Sequence, residues 1–467
     1  MTRDVSASVP RKRRILRWLK IIGVIIGGIV VLIMGVNLVL ELRIRAELRA
    51  IRNAGQPIAL ADLQSLYPNV PPGENAAELY LKAFSAFAEF PPAIPLLGND
   101  RTNLPARGEP MPDDMKALVS RCLTDKAQAL QLLHQAAARK ECRYPVDLSQ
   151  GSSIRLPHLT PLRYGARLLE LEALISAENG RPDDAVGAIM ASFDLAQSLR
   201  REPILISYFV RSAADATAIA SIERVLSRTP LKDDHLARFT AALASEKDAD
   251  AFFRSLLAQR AVCSHIFRNA TAQELSDGSW VPKLWVVAYA LTGWRRFDYL
   301  AYLGVMRDCL AAARLPYPAR VQRANELYAT LRKRTIGGFP TCPMTWLISP
   351  LQPSGIVVAV PLRGGPGFRV DAEHIARIRA AQAGIAIERY RLANAKLPDS
   401  LAALVPAFLE AVPQDPFNGK ALRYKTLAKG YVVYSVGADL QDNGSREWAS
   451  NPRGEDDPYD ITFTVAR

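Results

Sequence analysis

Cysteine and histidine are scarce: the 467 residues hold five of each. Cys122, Cys142, Cys263, Cys309 and Cys342 are scattered and form no C-x-x-C pair, which removes a disulfide scaffold, a zinc ribbon and thioredoxin-like chemistry. Cys122 and Cys142 are open to pairing in an oxidising compartment; packed as small hydrophobes, they need no partner. His134, His158, His235, His265 and His374 lie far apart with no metal-ligand spacing, so each reads as a helix-face residue. Enzyme signatures are missing too: there is no H-E-x-x-H, no phosphate-binding G-x-x-x-x-G-K-[ST], no G-x-G-x-x-G and no G-x-S-x-G. Gly364-Gly365-Pro366-Gly367 has no nucleophile elbow to serve and reads as a turn. The acidic pairs Asp113-Asp114, Asp183-Asp184 and Asp233-Asp234 stand where helices begin. There a carboxylate accepts orphan N–H bonds and opposes the positive dipole end. Capping explains them without acid/base catalysis.

Charge of one sign is plentiful but local. The formal net charge is +13, and residues 1–52 hold eleven Lys/Arg against three Asp/Glu. The remaining chain has no basic stripe with interleaved aromatics, which excludes nucleic acid as a partner. The basicity belongs to a membrane anchor. Residues 21–40 carry no charge, and twenty helical residues reach about 30 Å, the thickness of a bilayer core. Arg11, Lys12, Arg13, Arg14, Arg17 and Lys20 crowd the N-terminal side, whereas Arg43, Arg45 and Arg49 are mixed with Glu41 and Glu47. The denser cluster stays in the cytoplasm, which places residues 41–467 outside a bacterial inner membrane. A cleaved signal peptide is the alternative. Its apolar region would be shorter and followed by a small-x-small site, which the Asn37-Leu38-Val39-Leu40-Glu41 stretch lacks.

Beyond the anchor the periodicity is helical. Gly55-Gln56-Pro57 breaks the anchor helix, and residues 60–66 form a short helix stopped by Tyr67-Pro68. Residues 90–112 are a Pro/Gly-rich loop. Helices are expected from Asp113, over residues 161–179, 182–199 and 203–228, from Leu231 and Asp248, and over 294–334 with a break near Pro316 and Pro318. The pair 161–179 and 182–199, joined by a G-R-P-D-D turn, resembles one tetratricopeptide-type hairpin, without a fixed repeat period. Residues 281–293 are apolar save Lys283 and too short to span a bilayer; a buried helix is favoured over a membrane-facing patch. Residues 336–370 serve as the linker to a second module.

That module, residues 371–467, carries an ordered set of landmarks: Tyr390, Leu397-Pro398, Asp415-Pro416-Phe417, Gly419, Tyr424, Tyr431, Tyr434-Ser435, Gly437, Asp439 and Asp460-Ile461. In this order they resemble the C-terminal half of the major pseudopilin of type II secretion systems. The resemblance implies a helix ending near Tyr390, a D-P-[FW]-x-G turn, a hairpin carrying Y-x-x-Y-S-x-G-x-D and a D-I strand. It also implies that the loop between S-x-G-x-D and D-I wraps Ca²⁺, here through Asp439, Asp442, Asn443 and Asp460. Hard oxygen donors on a loop bearing Gly444 and Gly454 suit that ion. Two features depart from the family. Leu440 replaces the Gly that commonly follows the Asp, and the loop is longer than usual. The membrane-length helix also lacks a pilin's Gly-Phe peptidase junction, and a helix containing Glu373, His374, Arg377 and Arg379 does not sit in lipid. The module is thus a pseudopilin-like head on another body, not a filament subunit. Its expected core is Tyr390, Leu392, Leu404, Phe408, Tyr424, Tyr431 and Tyr434 under a helix over residues 375–390, able to fold on its own.

The expected architecture is mainly α. It has a basic tail (1–20), a transmembrane helix (21–40), a helical, loosely tetratricopeptide-like periplasmic domain (41–335), a linker (336–370) and a small α+β head (371–467). Its expected role is that of a single-pass, non-enzymatic envelope scaffold or interaction protein, held in the inner membrane and binding an envelope protein partner. The alternatives are an accessory of a type II secretion or type IV pilus-like machine and an envelope enzyme with a scattered site.

Overall fold

A computed structural model describes residues 11–86, 104–245, 250–269, 292–336, 365–447 and 458–467. Helix α1 runs unbroken from Arg11 to Asn53. An 18-residue window of it has a mean hydropathy of 2.7 and holds no buried residue; among the described residues it is the one helix long and apolar enough to cross a membrane. The polar continuation past residue 40 is helical as expected, but Leu40 and Ile44 are buried. Helix α1 therefore enters the body as an integral helix.

Sequence punctuation explains most other boundaries. After two short helices, α2 (Ala77–Ser85) and α3 (Asp113–Asp125), α4 (Ala127–Ala137) restarts at Lys126. Helix α5 (Leu159–Glu178) stops at Gly180, whose φ of 67° needs a residue without a Cβ. Pro182 then opens α6 (Pro182–Gln197) with Asp183 and Asp184 in its first turn. Asp113-Asp114 and Asp233-Asp234 open α3 and α8 (Asp233–Ser245) in the same way. The apolar stretch at 281–293 and the linker fall almost wholly outside the described residues.

Helix α7 (Leu205–Arg228) is buried nearly all round, and its residues enter three separate apolar clusters. Ala, Ser and Thr let neighbours approach closely. Their hydroxyls are satisfied within the helix: Ser212, Thr217, Ser221 and Ser227 each donate to the carbonyl four residues back. Around it stand α5, α6, α9 (Ala251–Asn269) and α12 (Gly365–Asn394), while α10 (Trp294–Ala313) and α11 (Ala319–Ile336) complete the side nearest the anchor.

Three antiparallel strands lie in the order β1 (Arg423–Thr426), β2 (Tyr431–Ser435), β3 (Ile461–Val465). Tyr431 faces Val465, and Ser435 faces Ile461. Helix α12 crosses this sheet at Gly384, where an added Cβ would stand 2.2 Å from the Phe463 ring. The Tyr431 hydroxyl donates to the Gly384 carbonyl at 2.8 Å. One apolar cluster joins Ile378, Ile385, Ile387, Leu404, Val433 and Phe463 of this module to Val186, Ile189, Ile222, Leu226 and Phe239 of the helical body. The expected self-contained head is thus completed by α5 to α8. Within the expected core, Leu404, Tyr431 and Tyr434 are buried and Tyr390, Phe408 and Tyr424 half-buried, but Leu392 is 49% exposed. It lies in the last turn of α12, beyond the sheet.

The β3 edge is sealed against α7. Thr464 N–H donates to Glu223 at 2.6 Å, Ala466 N–H donates to the Ser227 hydroxyl at 3.0 Å, and Arg467 pairs with Glu388. Gly384→Ala is expected to cost about 2–3 kcal/mol by overpacking against Phe463. Urea unfolding of the full chain measures this, and pairing the change with Phe463→Leu should recover part of the loss. Glu223→Ala should cost roughly 2 kcal/mol, because it strands the Thr464 N–H and leaves the Arg107 guanidinium, 3.3 Å away, with Glu447 as its remaining carboxylate.

Candidate functional site

The turn and strand-end landmarks of the C-terminal module interlock. Asp415, 2% exposed, caps the turn that follows it by accepting from Phe417 N–H at 2.9 Å, and its other oxygen accepts from Val436 N–H at 2.9 Å. The Ser435 hydroxyl donates to Asp415 at 2.9 Å and accepts from Gly437 N–H at 3.2 Å. The D-P-F turn and the Y-S-x-G strand end are therefore two halves of one hydrogen-bonded joint. This joint aims the chain at the acidic loop.

In that loop the backbone takes positive φ at Gly437, Leu440, Gly444 and Ser445. Leu440 thus adopts the left-handed conformation (φ 61°) that the resemblance assigns to Gly, and its side chain is 57% exposed. The four candidate ligands share this small region. Asp460 is buried, and its two oxygens accept from Asn443 N–H at 3.3 Å and Ser445 N–H at 2.6 Å. The Asn443 amide donates to Asp439 at 2.9 Å. Asp442 accepts from Tyr434 at 3.1 Å and Gly444 N–H at 3.0 Å and pairs with Arg423 at 3.2 Å. Burial pushes the Asp460 carboxyl up, its two N–H donors pull it down, and the negative charges of Asp442 and Asp439 raise it again. For Asp442, slight desolvation is outweighed by its hydrogen bonds and by Arg423, so its carboxyl is held low. Among the described residues, no three His, Cys, Asp or Glu side chains stand close enough together to form a ready metal cage. Glu455, Asp456 and Asp457 lie outside the described residues.

A second constellation was invisible in the sequence. Asp371 of α12 accepts from Tyr208 of α7 at 2.5 Å, from Arg320 of α11 at 3.0 Å and from the Tyr317 hydroxyl. Burial pushes both phenols up, so they remain donors. Two turns along α7 from Tyr208, Asp215 lies 3.9 Å from Arg211 and 3.7 Å from His374. All of these except half-buried Tyr317 are at most 7% exposed. A third buried group pairs His158 with Glu202 at 3.0 Å, with the Tyr144 ring stacked on the imidazole at 4.1 Å. These groups fasten helices together. The only hint in the sequence was the density of charge in α12. The cysteines at 122, 142, 263 and 309 are free thiols, and burial raises Cys142 to about 12.

Compared with family models, curated proteins and solved structures, the chain matches none. The acidic loop and its joint thus stand on their own geometry. Leu440→Gly should stabilise the chain by about 1 kcal/mol, since a left-handed L-residue costs roughly that much. A higher denaturation midpoint with an unchanged slope checks it.

Proposed function

We propose that the chain is a single-pass, non-enzymatic envelope scaffold that holds a pseudopilin-like, calcium-stabilised head on a membrane-anchored helical body. One observation carries this reading. The apolar window of α1 holds no buried residue, while the turns directly after it are built into the body. Cleaving α1 as a signal peptide near residue 40 would cut away Asn37, which accepts from Arg296 of α10 at 2.7 Å. An uncleaved anchor keeps it. The charge bias around the anchor favours a cytoplasmic N-terminus and a periplasmic body, and the α5–α6 hairpin suits a loosely tetratricopeptide-like scaffold. A periplasm-only reporter fused after Arg467 should be active. Activity from a cytoplasm-only reporter at that position would overturn the orientation.

The head reading rests on the joint between Asp415 and Ser435, which gives the shared motif positions a physical reason to occur together. The same joint favours a second reading, in which the head contacts pseudopilins as an accessory of a type II secretion or type IV pilus-like machine. For the ion, Asp439, Asp442, Asn443 and Asp460 would supply oxygens, and a bound cation would relieve the repulsion that raises Asp460. Its role would be structural, fixing the loop as a recognition surface. About 10 mM Ca²⁺ should stabilise the full chain by roughly 1.4 kcal/mol if the site binds with a Kd near 1 mM. Asp439→Ala or Asp460→Ala should abolish the calcium-dependent rise in Tm, and Asp113→Ala should not. An unchanged Tm in the wild type, with no heat of binding, would leave a solvated acidic loop.

A further inference from the structure

Helix α10 is set against the membrane end of the body. Its Arg296 donates to Asn37 at 2.7 Å and lies 3.5 Å from Glu41, while Arg307 pairs with Glu47 at 2.8 Å. As α1 advances from residue 37 to 47, α10 advances from 296 to 307, so the two run parallel, and both leave the membrane over about 15 Å. The N-terminus of α10 therefore points at the bilayer. Gly293, at φ 88°, starts the helix so close to the anchor that an added Cβ would stand 3.1 Å from the Asn37 amide. Asn37 lies three residues before Leu40, so this contact is about 5 Å inside the end of the apolar run. That lies at the headgroup/acyl boundary, within the ~5–10 Å to which interfacial apolar faces sink.

The first turn of α10 presents aromatic surface at that depth. Trp294 is 48% exposed and Phe297 42% exposed, with their rings in edge-to-face contact at 6.2 Å. Arg295 turns the other way and donates to the Phe267 and Ile266 carbonyls at the end of α9, at 2.6 and 3.2 Å. Arg43 and Arg268 are exposed. Arg295 and Arg296 share the first turn of α10 with the two rings, and aromatic rings beside basic side chains are the composition that settles at headgroup level.

We propose that Trp294 and Phe297 form a second, monotopic membrane contact, seated in the lipid headgroup layer beside the anchor. Two points of attachment fix the tilt of the body on the membrane, where the anchor alone would leave it free to swing. The inference rests on the anchor reading. The test separates the two by placing photoreactive p-benzoylphenylalanine singly at the positions of Ile29, Phe297 and Leu392 in the full chain, in phosphatidylethanolamine/phosphatidylglycerol vesicles. Lipid-adducted peptide is expected from the Ile29 and Phe297 positions and none from Leu392, which is exposed on α12. Adducts at the Ile29 position alone overturn the proposal and leave the anchor standing. Protein crosslinks in place of lipid adducts at the Phe297 position also overturn it. No adduct at the Ile29 position removes the anchor and the proposal together.

Discussion

Strand β3 is the piece on which the rest of the C-terminal half depends. It pairs with β2 on one edge, and on the other its N–H groups bond to Glu223 and Ser227 of α7. On its face, Phe463 fills the space that Gly384 leaves on α12. An open strand edge invites pairing with another chain; here a helix closes it with side-chain acceptors. The price of that closure is a carboxylate, Glu223, at 3% exposure. Arg107 and Thr464 satisfy it. The result is a core in which the sheet module and the helices from 173 to 243 share apolar contacts.

The same principle holds at the membrane end. Helix α1 does not deliver its cargo on a free tether, because Ile44 packs with Tyr299, Tyr302 and Leu303 of α10. Between these two ends, α7 is the common wall. The polar seam of Tyr208, Asp215, Asp371 and His374 fixes how α12 lies along it, since a buried charge tolerates few alternative registers. Helix α1, the helical body and the sheet module are continuous through shared apolar clusters.

Much of this was legible in the sequence where signals are local. Gly180, Pro182 and the acidic pairs marked helix ends within a residue or two, and the long apolar helix α1 announced itself by length and composition. The D-P-F, Y-S-x-G and D-I landmarks located the turn and two of the strands. What stayed hidden has long sequence separation. Thr464 meets Glu223 across 241 positions, and Tyr208 meets Asp371 across 163. No periodicity records such pairs. That is why the module looked separable, and why Val433 and Phe463 were missed as its core. The candidate loop was legible in its residues and not in its backbone: Leu440 gave no hint that it would take a left-handed conformation.

The central claim is that the sheet module and the helical body form one cooperative unit. Native-state hydrogen exchange of the full chain, followed by mass spectrometry across a urea series, tests it most directly. The amides of β2, α12 and α7 should merge into a single opening with the same free energy and the same denaturant dependence. If the β2 and α12 amides open several kcal/mol below those of α7, with a smaller dependence on urea, the module is an independent domain and the account is contradicted.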